Sequence, residues 1–358
     1  MSDPPKAYLE FGLAQDGARG DRITPYLYPP LWAALMAPVT KILSIGAFFK
    51  LWLIINLASS VFMIWLGWLW IGRGISPVIW VGLALALLTV TVIGQMGFAY
   101  GQPQVLVNCL IVGAFFAVSR AHNVGGGALL GLAAAIKLAP IALAVVLLME
   151  RRWVALGACL GVFGALAGLS VLVTGWPLHA ALLDKLSEID AHIMVARITT
   201  SLELVLAQIG GLIHGAPIGV EGAAHMTPQP EWIGPVVRCV LVAGIIASWA
   251  WTRKAQDDLR IWLRLMAVYL VVLVCGPLAW VHALGLPLVL LPGMLRILPM
   301  RGAVAVLGGA AIGFSMPLFF WVAENPAFET AQIWANLILT LGLFAVLLGA
   351  ARGALVTK

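Results

Sequence analysis

Residues 47–71 read AFFKLWLIINLASSVFMIWLGWLWI, with Lys50 the one charged position among them. Crossing the hydrocarbon core of a bilayer as an α-helix takes about 20 consecutive apolar residues. A helix is also one of the few structures that satisfies every backbone group without water. This stretch is long enough to cross and too apolar on every face to sit at the surface of a soluble domain, so it predicts a membrane span.

The same pattern recurs outward from it, at 78–96, 105–118, 127–149, 154–173, 236–251, 261–284, 286–298, 303–322 and 333–351. Two further apolar stretches, 31–43 and the amphipathic 201–213, are too short to cross comfortably. Hydrophobic residues make up 62% of the 358 positions, charged residues 10%, and mean hydropathy is +1.02. A soluble domain keeps about a quarter of its residues charged, so a water-soluble globule is excluded. The expected fold is all-α: a polytopic membrane helical bundle with about ten transmembrane helices. Residues 1–30 form an outer loop, 31–358 a single transmembrane domain, and a further outer loop region lies near 175–232.

The net charge of +6 does not indicate a nucleic-acid partner, because the cations flank apolar runs. Arg151, Arg152, Arg253, Lys254, Arg260, Arg264, Arg296, Arg301, Arg352 and Lys358 follow the distribution of charge at cytoplasmic membrane edges. Cys109, Cys159, Cys239 and Cys275 stand singly in apolar stretches and read as small packed hydrophobes. The first 27 residues are mixed and polar, without an apolar core of signal-peptide length. No internal repeat or matched pair of broken helices is visible, which weighs against transporter folds built from inverted repeats.

Placing Arg151-Arg152, Arg253-Lys254, Arg296, Arg301 and Arg352 on the cytoplasmic side puts 175–232, the turn at His282 and residues 324–329 outside. Tyr100-Gly-Gln-Pro joins them if 31–43 lies on the outer surface and 127–149 folds back at Lys137–Pro140. Broken backbone within a membrane is tolerated where it lines a cavity, and a lysine followed by a proline at mid-segment supplies cause for such a break.

Lys137 lies far from either end of its apolar run. A cation at that depth costs a few kcal/mol on insertion scales and usually faces a cavity or a partner; the plainer alternative is a side chain snorkelling to the interface. A lipid phosphate would be a natural partner for its compact ammonium. His282 follows Gly-Pro-Leu-Ala-Trp-Val, where it could bond a phosphate or relay a proton, or be a satisfied core histidine. Tyr26-Leu-Tyr-Pro-Pro reads as an extended entry into a helix that starts at or after the prolines. Gly101-Gln102-Pro103-Gln104 reads as a turn between spans, its amides suited to sugar hydroxyls. No G-x-x-x-x-G-K-[ST], H-E-x-x-H or G-x-S-x-G motif is present, and nothing supports a bound nucleotide. Gly125–Gly127 opens an apolar segment, where close helix packing explains it best.

Taken in order, four pieces resemble glycosyltransferase family 87, membrane enzymes of the GT-C class that take sugar, often mannose, from a polyprenyl-phosphate carrier. They are Tyr28-Pro-Pro-Leu-Trp-Ala-Ala-Leu-Met-Ala-Pro, Tyr100-Gly-Gln-Pro, Gly131-Leu-Ala-Ala-Ala-Ile-Lys-Leu-Ala-Pro followed by Arg151-Arg-Trp, and Gly276-Pro-Leu-Ala-Trp-Val-His. The resemblance implies a GT-C-like fold and an outer-face site formed by the first outer loop, the Gly-Gln turn and the Trp-x-His turn. Lys137 and His282 would serve the carrier phosphate and Gln102 the sugar or carrier, with Tyr28 and Trp280 in the same substrate site. The family pattern often has Asn at the position of Gln104 and Asp at that of Val281, and its Asn-Gln-Ser-Leu type of motif is here reduced to Thr199-Thr200-Ser201-Leu202.

The resemblance also implies a first membrane helix and a base aspartate ahead of the Ser2-Asp3-Pro4 region, so the base is expected upstream of Met1. On that reading residues 1–358 alone are a late-started, catalytically weak form. Asp3 is not expected to be the base, and Glu10, Asp16 and Asp21 are the other carboxylates of the opening loop. The expected activity moves a sugar from the carrier to a lipid or glycan acceptor on the outer face of the cytoplasmic membrane. No cofactor or metal is expected beyond the donor substrate itself. The rival class is a secondary transporter or lipid flippase using Lys137 and His282 as a polar pathway, and a plainer one is a non-catalytic scaffold.

Overall fold

The computed structural model describes residues 27–215, 218–219 and 224–351, and the backbone of two short antiparallel strands, β1 (Ala14–Gln15) and β2 (Arg22–Ile23). Asp3, Glu10, Asp16, Asp21, Arg352 and Lys358 fall outside the described residues. From residue 30 onward helices dominate, as the apolar runs require: α1 (Pro30–Ile42), α2 (Ile45–Ile71), α3 (Pro77–Val90), α4 (Val92–Ala99), α5 (Gln104–Ser119) and α6 (Asn123–Ile136). Next come α7 (Ala144–Met149), α8 (Trp153–Thr174), α9 (Trp176–Asp190), α10 (Leu202–Ile213), α11 (Ile233–Thr252) and α12 (Asp257–Val274). The last are α13 (Gly285–Leu290), α14 (Met294–Ile297), α15 (Met300–Gly313), α16 (Met316–Ala323) and α17 (Glu329–Ala350).

Among the described residues α2, α8, α11 and α17 are each long and apolar enough to cross a membrane. The pair α4 and α5 adds a candidate bent by 113°. The other apolar runs fold as shorter helices, several interrupted by 3-10 turns, so the architecture is an all-α polytopic membrane bundle with many broken elements.

The breaks have local causes. Run 78–96 is split at Thr91, which is extended (φ −96°, ψ 147°) and caps α4 through its hydroxyl. The backbone groups freed there are met by the 314–315 segment, with Val92 N donating to Phe314 O at 2.9 Å. Run 127–149 stops being α-helical at Lys137, whose backbone is extended (φ −142°, ψ 126°). Pro140 has no N–H to offer Ile136 and its ring crowds that carbonyl, so a 3-10 turn, Ala139–Leu143, links α6 to α7.

The chain reverses at that break. Gly127, near the start of α6, packs so closely on the Ala155 backbone that a methyl group there would collide with it, and Gly131 meets Cys159 in the same way. Ala155 is only six residues past the end of α7, so both ends of 127–149 lie at one end of the bundle. A straight helix of that length would separate them by about 33 Å. The glycine cluster therefore serves close helix packing, and the segment folds back as its Lys-x-x-Pro signal suggests.

One end of the bundle gathers the basic edges. Glu150 pairs with Arg260 at 2.9 Å and with Arg264 at 2.8 Å, while Arg264 also donates to Thr252 Oγ1 and Met149 O. Arg296 reaches Asp258 at 3.2 Å. The opposite end carries α9, α10 and a hairpin of β3 (His192–Val195) with β4 (His225–Pro228). There Arg197 pairs with Glu329 at 2.8 Å, Thr200 N donates to Ala279 O at 2.7 Å, and Val281 N donates to Ile198 O at 2.9 Å. The described parts of 175–232, the Trp-x-His turn and the start of α17 thus share one end, opposite the Glu150, Arg260 and Arg264 cluster. α1 stays at that end: Trp32 near its start touches Trp52 in the second turn of α2, with ring centroids 5.6 Å apart. Its first backbone N–H groups include Leu31 N, which donates to Ser170 Oγ at the end of α8.

Candidate functional site

Each polar residue of interest sits where a helix stops. Tyr28 precedes α1, and Pro30 at the first helical position supplies the φ that starts it. Gly101, with φ +58°, makes the corner between α4 and α5 in a conformation that favours glycine. Lys137 occupies the extended residue after α6, and His282 lies in the 3-10 turn Val281–Leu284, which follows the extended Trp280.

These positions converge. The Tyr28 hydroxyl donates to Gln102 Oε1 at 3.1 Å, and the Lys137 ammonium stands 5.8 Å from the centre of the Tyr28 ring, within cation–π range. Lys137 Nζ donates to Gln104 Oε1. Tyr100, on the same corner, meets the His282 ring edge-on at 5.5 Å, and Trp280 stacks on His282 at 6.4 Å and 21°. The structure therefore brings Tyr28, Gln102, Lys137, Trp280 and His282 to one end of the bundle, from four separate stretches of sequence.

His282 is only 4% exposed, yet neither ring nitrogen has a hydrogen-bond partner among the described residues. It lines a cavity of about 20 Å³ together with Ser60, Gln104 and Asn108, room for about one water molecule. Trp52 Nε1 and both side-chain polar atoms of Asn56, farther along α2, are likewise buried without a partner. Indole nitrogens of Trp70 and Trp262 toward the basic end are unpaired as well, so what singles out His282 is that its open nitrogens belong to a ring lining a cavity with Gln104 and Asn108. On the far side of the His282 turn, Val92, Val281, Phe314, Leu318 and Phe319 line an apolar groove of about 160 Å³.

Sequence reasoning passed over Asn108 and Tyr269. Asn108 Oδ1 accepts from Gln104 Nε2 at 2.8 Å, and the Tyr269 hydroxyl lies 3.3 Å from Asn108 Oδ1 and donates to Ala283 O at 2.7 Å. The available signal was the Gln-x-x-x-Asn spacing, which puts two amides on one face of an apolar helix. Thr199, Thr200 and Ser201 join the framework rather than the polar centre: Thr199 pairs with Trp280, and Ser201 caps α10. On α10, burial pushes the Glu203 carboxyl up to about 7. Among the described residues no group of three or more His, Cys, Asp and Glu side chains is placed to hold a metal ion.

Residues 26–277 match the pattern of glycosyltransferase family 87. The chain is 27% identical over 338 residues to a polyprenol-phosphate-mannose-dependent alpha-(1-2)-phosphatidylinositol pentamannoside mannosyltransferase of Mycolicibacterium smegmatis, covering 90% of this chain and 76% of that protein. It is 26% identical over 264 residues to the protein of the same description from Mycobacterium tuberculosis, covering 72% of this chain and about half, 55%, of that relative. No solved structure matches. With the family pattern spanning well over half its length, the chain belongs to glycosyltransferase family 87 and is a membrane glycosyltransferase.

Proposed function

We propose that this protein transfers a hexose, mannose in the first instance, from a polyprenyl-phosphate carrier to a lipid or glycan acceptor at the outer face of the cytoplasmic membrane. The observation that carries this reading is the Lys137 ammonium, held at a helix break beside Tyr28, the Gln102 turn and the unpaired His282 ring. A mannose donor is supported by the activity named for the mycobacterial relatives.

In the proposed reaction an acceptor hydroxyl oxygen attacks the anomeric carbon and the bond from that carbon to the phosphate oxygen breaks. The electron pair leaves with the phosphate, so negative charge grows on the carrier. Donors already aimed at that charge lower the barrier. Lys137 supplies a full positive charge there, and His282 a further hydrogen bond. Gln102 and Trp280 face the sugar or the carrier. The apolar groove beyond Val281 suits the first isoprene units of the carrier. The acceptor proton passes to a carboxylate base, which the family resemblance puts in the sequence before the described residues. Basic edges on the opposite end support an outward-facing site.

The test is transfer of radiolabelled mannose from a short-chain polyprenyl phosphate in membranes expressing the full-length gene product. Lys137→Ala is expected to lower transfer by about a hundredfold while leaving the amount of folded protein unchanged. Unchanged transfer in this variant would overturn the phosphate role. Absence of transfer by the parent protein, with lipid- or ion-coupled uptake in vesicles, would move the assignment to a transporter.

A further inference from the structure

We infer that Gln104 and Asn108 are positioning residues, an amide relay that aims the Lys137 ammonium. The inference rests on the reading of Lys137 as a phosphate-binding group.

The relay follows from what each group can donate or accept. A lysine ammonium donates only, so it meets the oxygen end of the Gln104 amide. That leaves the Gln104 amide nitrogen facing Asn108 Oδ1, at 2.8 Å and one helical turn deeper on α5. The Tyr269 hydroxyl stands at the same oxygen, 3.3 Å away, and its 2.7 Å bond to Ala283 O anchors the residue directly after His282. Gln104 and Asn108 are 4% and 2% exposed, so these bonds are shielded from competing water. Every amide orientation is thereby fixed: turning either one over would set a donor against a donor.

The consequence for Lys137 is specific. One of its three N–H bonds is committed to Gln104, and the others remain for an incoming anion. Because the acceptor is a neutral amide, the positive charge is held in place without being cancelled. A carboxylate at position 104 would hold the ammonium as firmly but neutralise it, and an asparagine, shorter by one methylene, would not span both Lys137 and Asn108. Lys137 and His282 lie on different segments; the relay ends beside the Tyr269 hydroxyl, whose proton goes to Ala283 O, the residue after His282.

The experiment measures binding of a short-chain polyprenyl phosphate, without sugar, to the purified full-length gene product in lipid nanodiscs, beside the thermal unfolding midpoint of each variant. Gln104→Leu is expected to weaken binding about ten- to a hundredfold, with a fall in the midpoint because Lys137 and Asn108 lose a buried partner. Gln104→Asn should fall between that variant and the parent, and Asn108→Ala should weaken binding by less than Gln104→Leu.

Gln104→Glu separates positioning from packing, because the substituted side chain keeps its shape. The titratable groups facing position 104 are Lys137, Tyr28, Tyr269 and His282, all shared with the parent protein, so its own profile is the reference. Relative to that reference, Gln104→Glu should bind poorly from pH 5 to pH 8, because the ammonium beside it favours the ionised carboxylate, which cancels its charge. Parent binding with all Gln104 variants equal to it, Gln104→Glu included, overturns the relay and leaves the phosphate reading standing. A parent protein that does not bind polyprenyl phosphate overturns the phosphate reading and the relay's role with it.

Discussion

Two buried cations, Arg264 at one end of the bundle and Lys137 at the other, are held on different terms. At the basic end the carboxylate of Glu150, 2% exposed, is met by Arg260 and Arg264, and Arg264 is met in turn by Thr252 and a backbone carbonyl. At the other end His282, Asn56 and Trp52 are equally buried and hold polar atoms that nothing in the described chain satisfies. Lys137 has a neutral amide where Arg264 has a carboxylate. A buried ion pair that is fully matched serves the fold, and its loss is felt there; a buried donor set that is left open serves a ligand, and its loss is felt in function. Charge in the low-dielectric interior is thus structural or functional according to whether its partner is built in.

The largest expected effect sharpens the structural half of this contrast. Glu150→Ala leaves the buried Arg264 guanidinium without its anion while Arg260 keeps Asp257, and breaking such a buried pair costs about 3–5 kcal/mol. A marked fall in the thermal midpoint is expected, with the polyprenyl phosphate affinity of the remaining folded protein unchanged. A stable variant with lost affinity would show that the basic end is part of the site. His282→Phe probes the other half. It keeps the ring against Tyr100 and Trp280 while removing both unpaired nitrogens, so stability should hold or rise. Transfer should fall about tenfold, the worth of one hydrogen bond to a charged group. A destabilised variant with full activity would make His282 a core residue.

The smallest effect concerns Glu203, buried on α10 and part of neither the ion cluster nor the Lys137 site. Its carboxyl is raised from 4.5 to about 7, so between these values the folded state holds more proton than the unfolded one. Stability from this group is therefore full below about pH 4.5 and declines as pH rises through about 7. Glu203→Gln should flatten that decline, leaving the midpoint near pH 4.5 unchanged and raising it at pH 8. An unaltered profile would place the ionised carboxylate in contact with a cation.

Much of this arrangement was legible in residue order. The run at 47–71 announced α2, and Lys137 with Pro140 announced a fold-back, because a cation and a missing N–H both count against an unbroken helix in lipid. Clustering of arginines next to apolar runs assigned the basic end. The break at Thr91 was not legible, since a threonine is compatible with a helix and the segment that satisfies the freed backbone, 314–315, lies far along the chain. Asn108 and Tyr269 were hidden for the related reason that each is one polar position in a long apolar run. Their meaning comes from the neighbour across the helix interface. The hairpin of β3 and β4 joins stretches separated by α10, a pairing that no local pattern specifies.

The most direct test of the account is to ask which end holds the carrier. A photoreactive short-chain polyprenyl phosphate, with the reactive group next to the phosphate, is cross-linked to the full-length gene product in native membranes and the labelled peptides are identified. The account predicts label on the peptides containing Gln102 and His282, removed by excess polyprenyl-phosphate mannose and lost in Lys137→Ala. Label concentrated at Arg260 and Arg264, or label at the Lys137 end that polyprenyl-phosphate mannose does not displace, would contradict it.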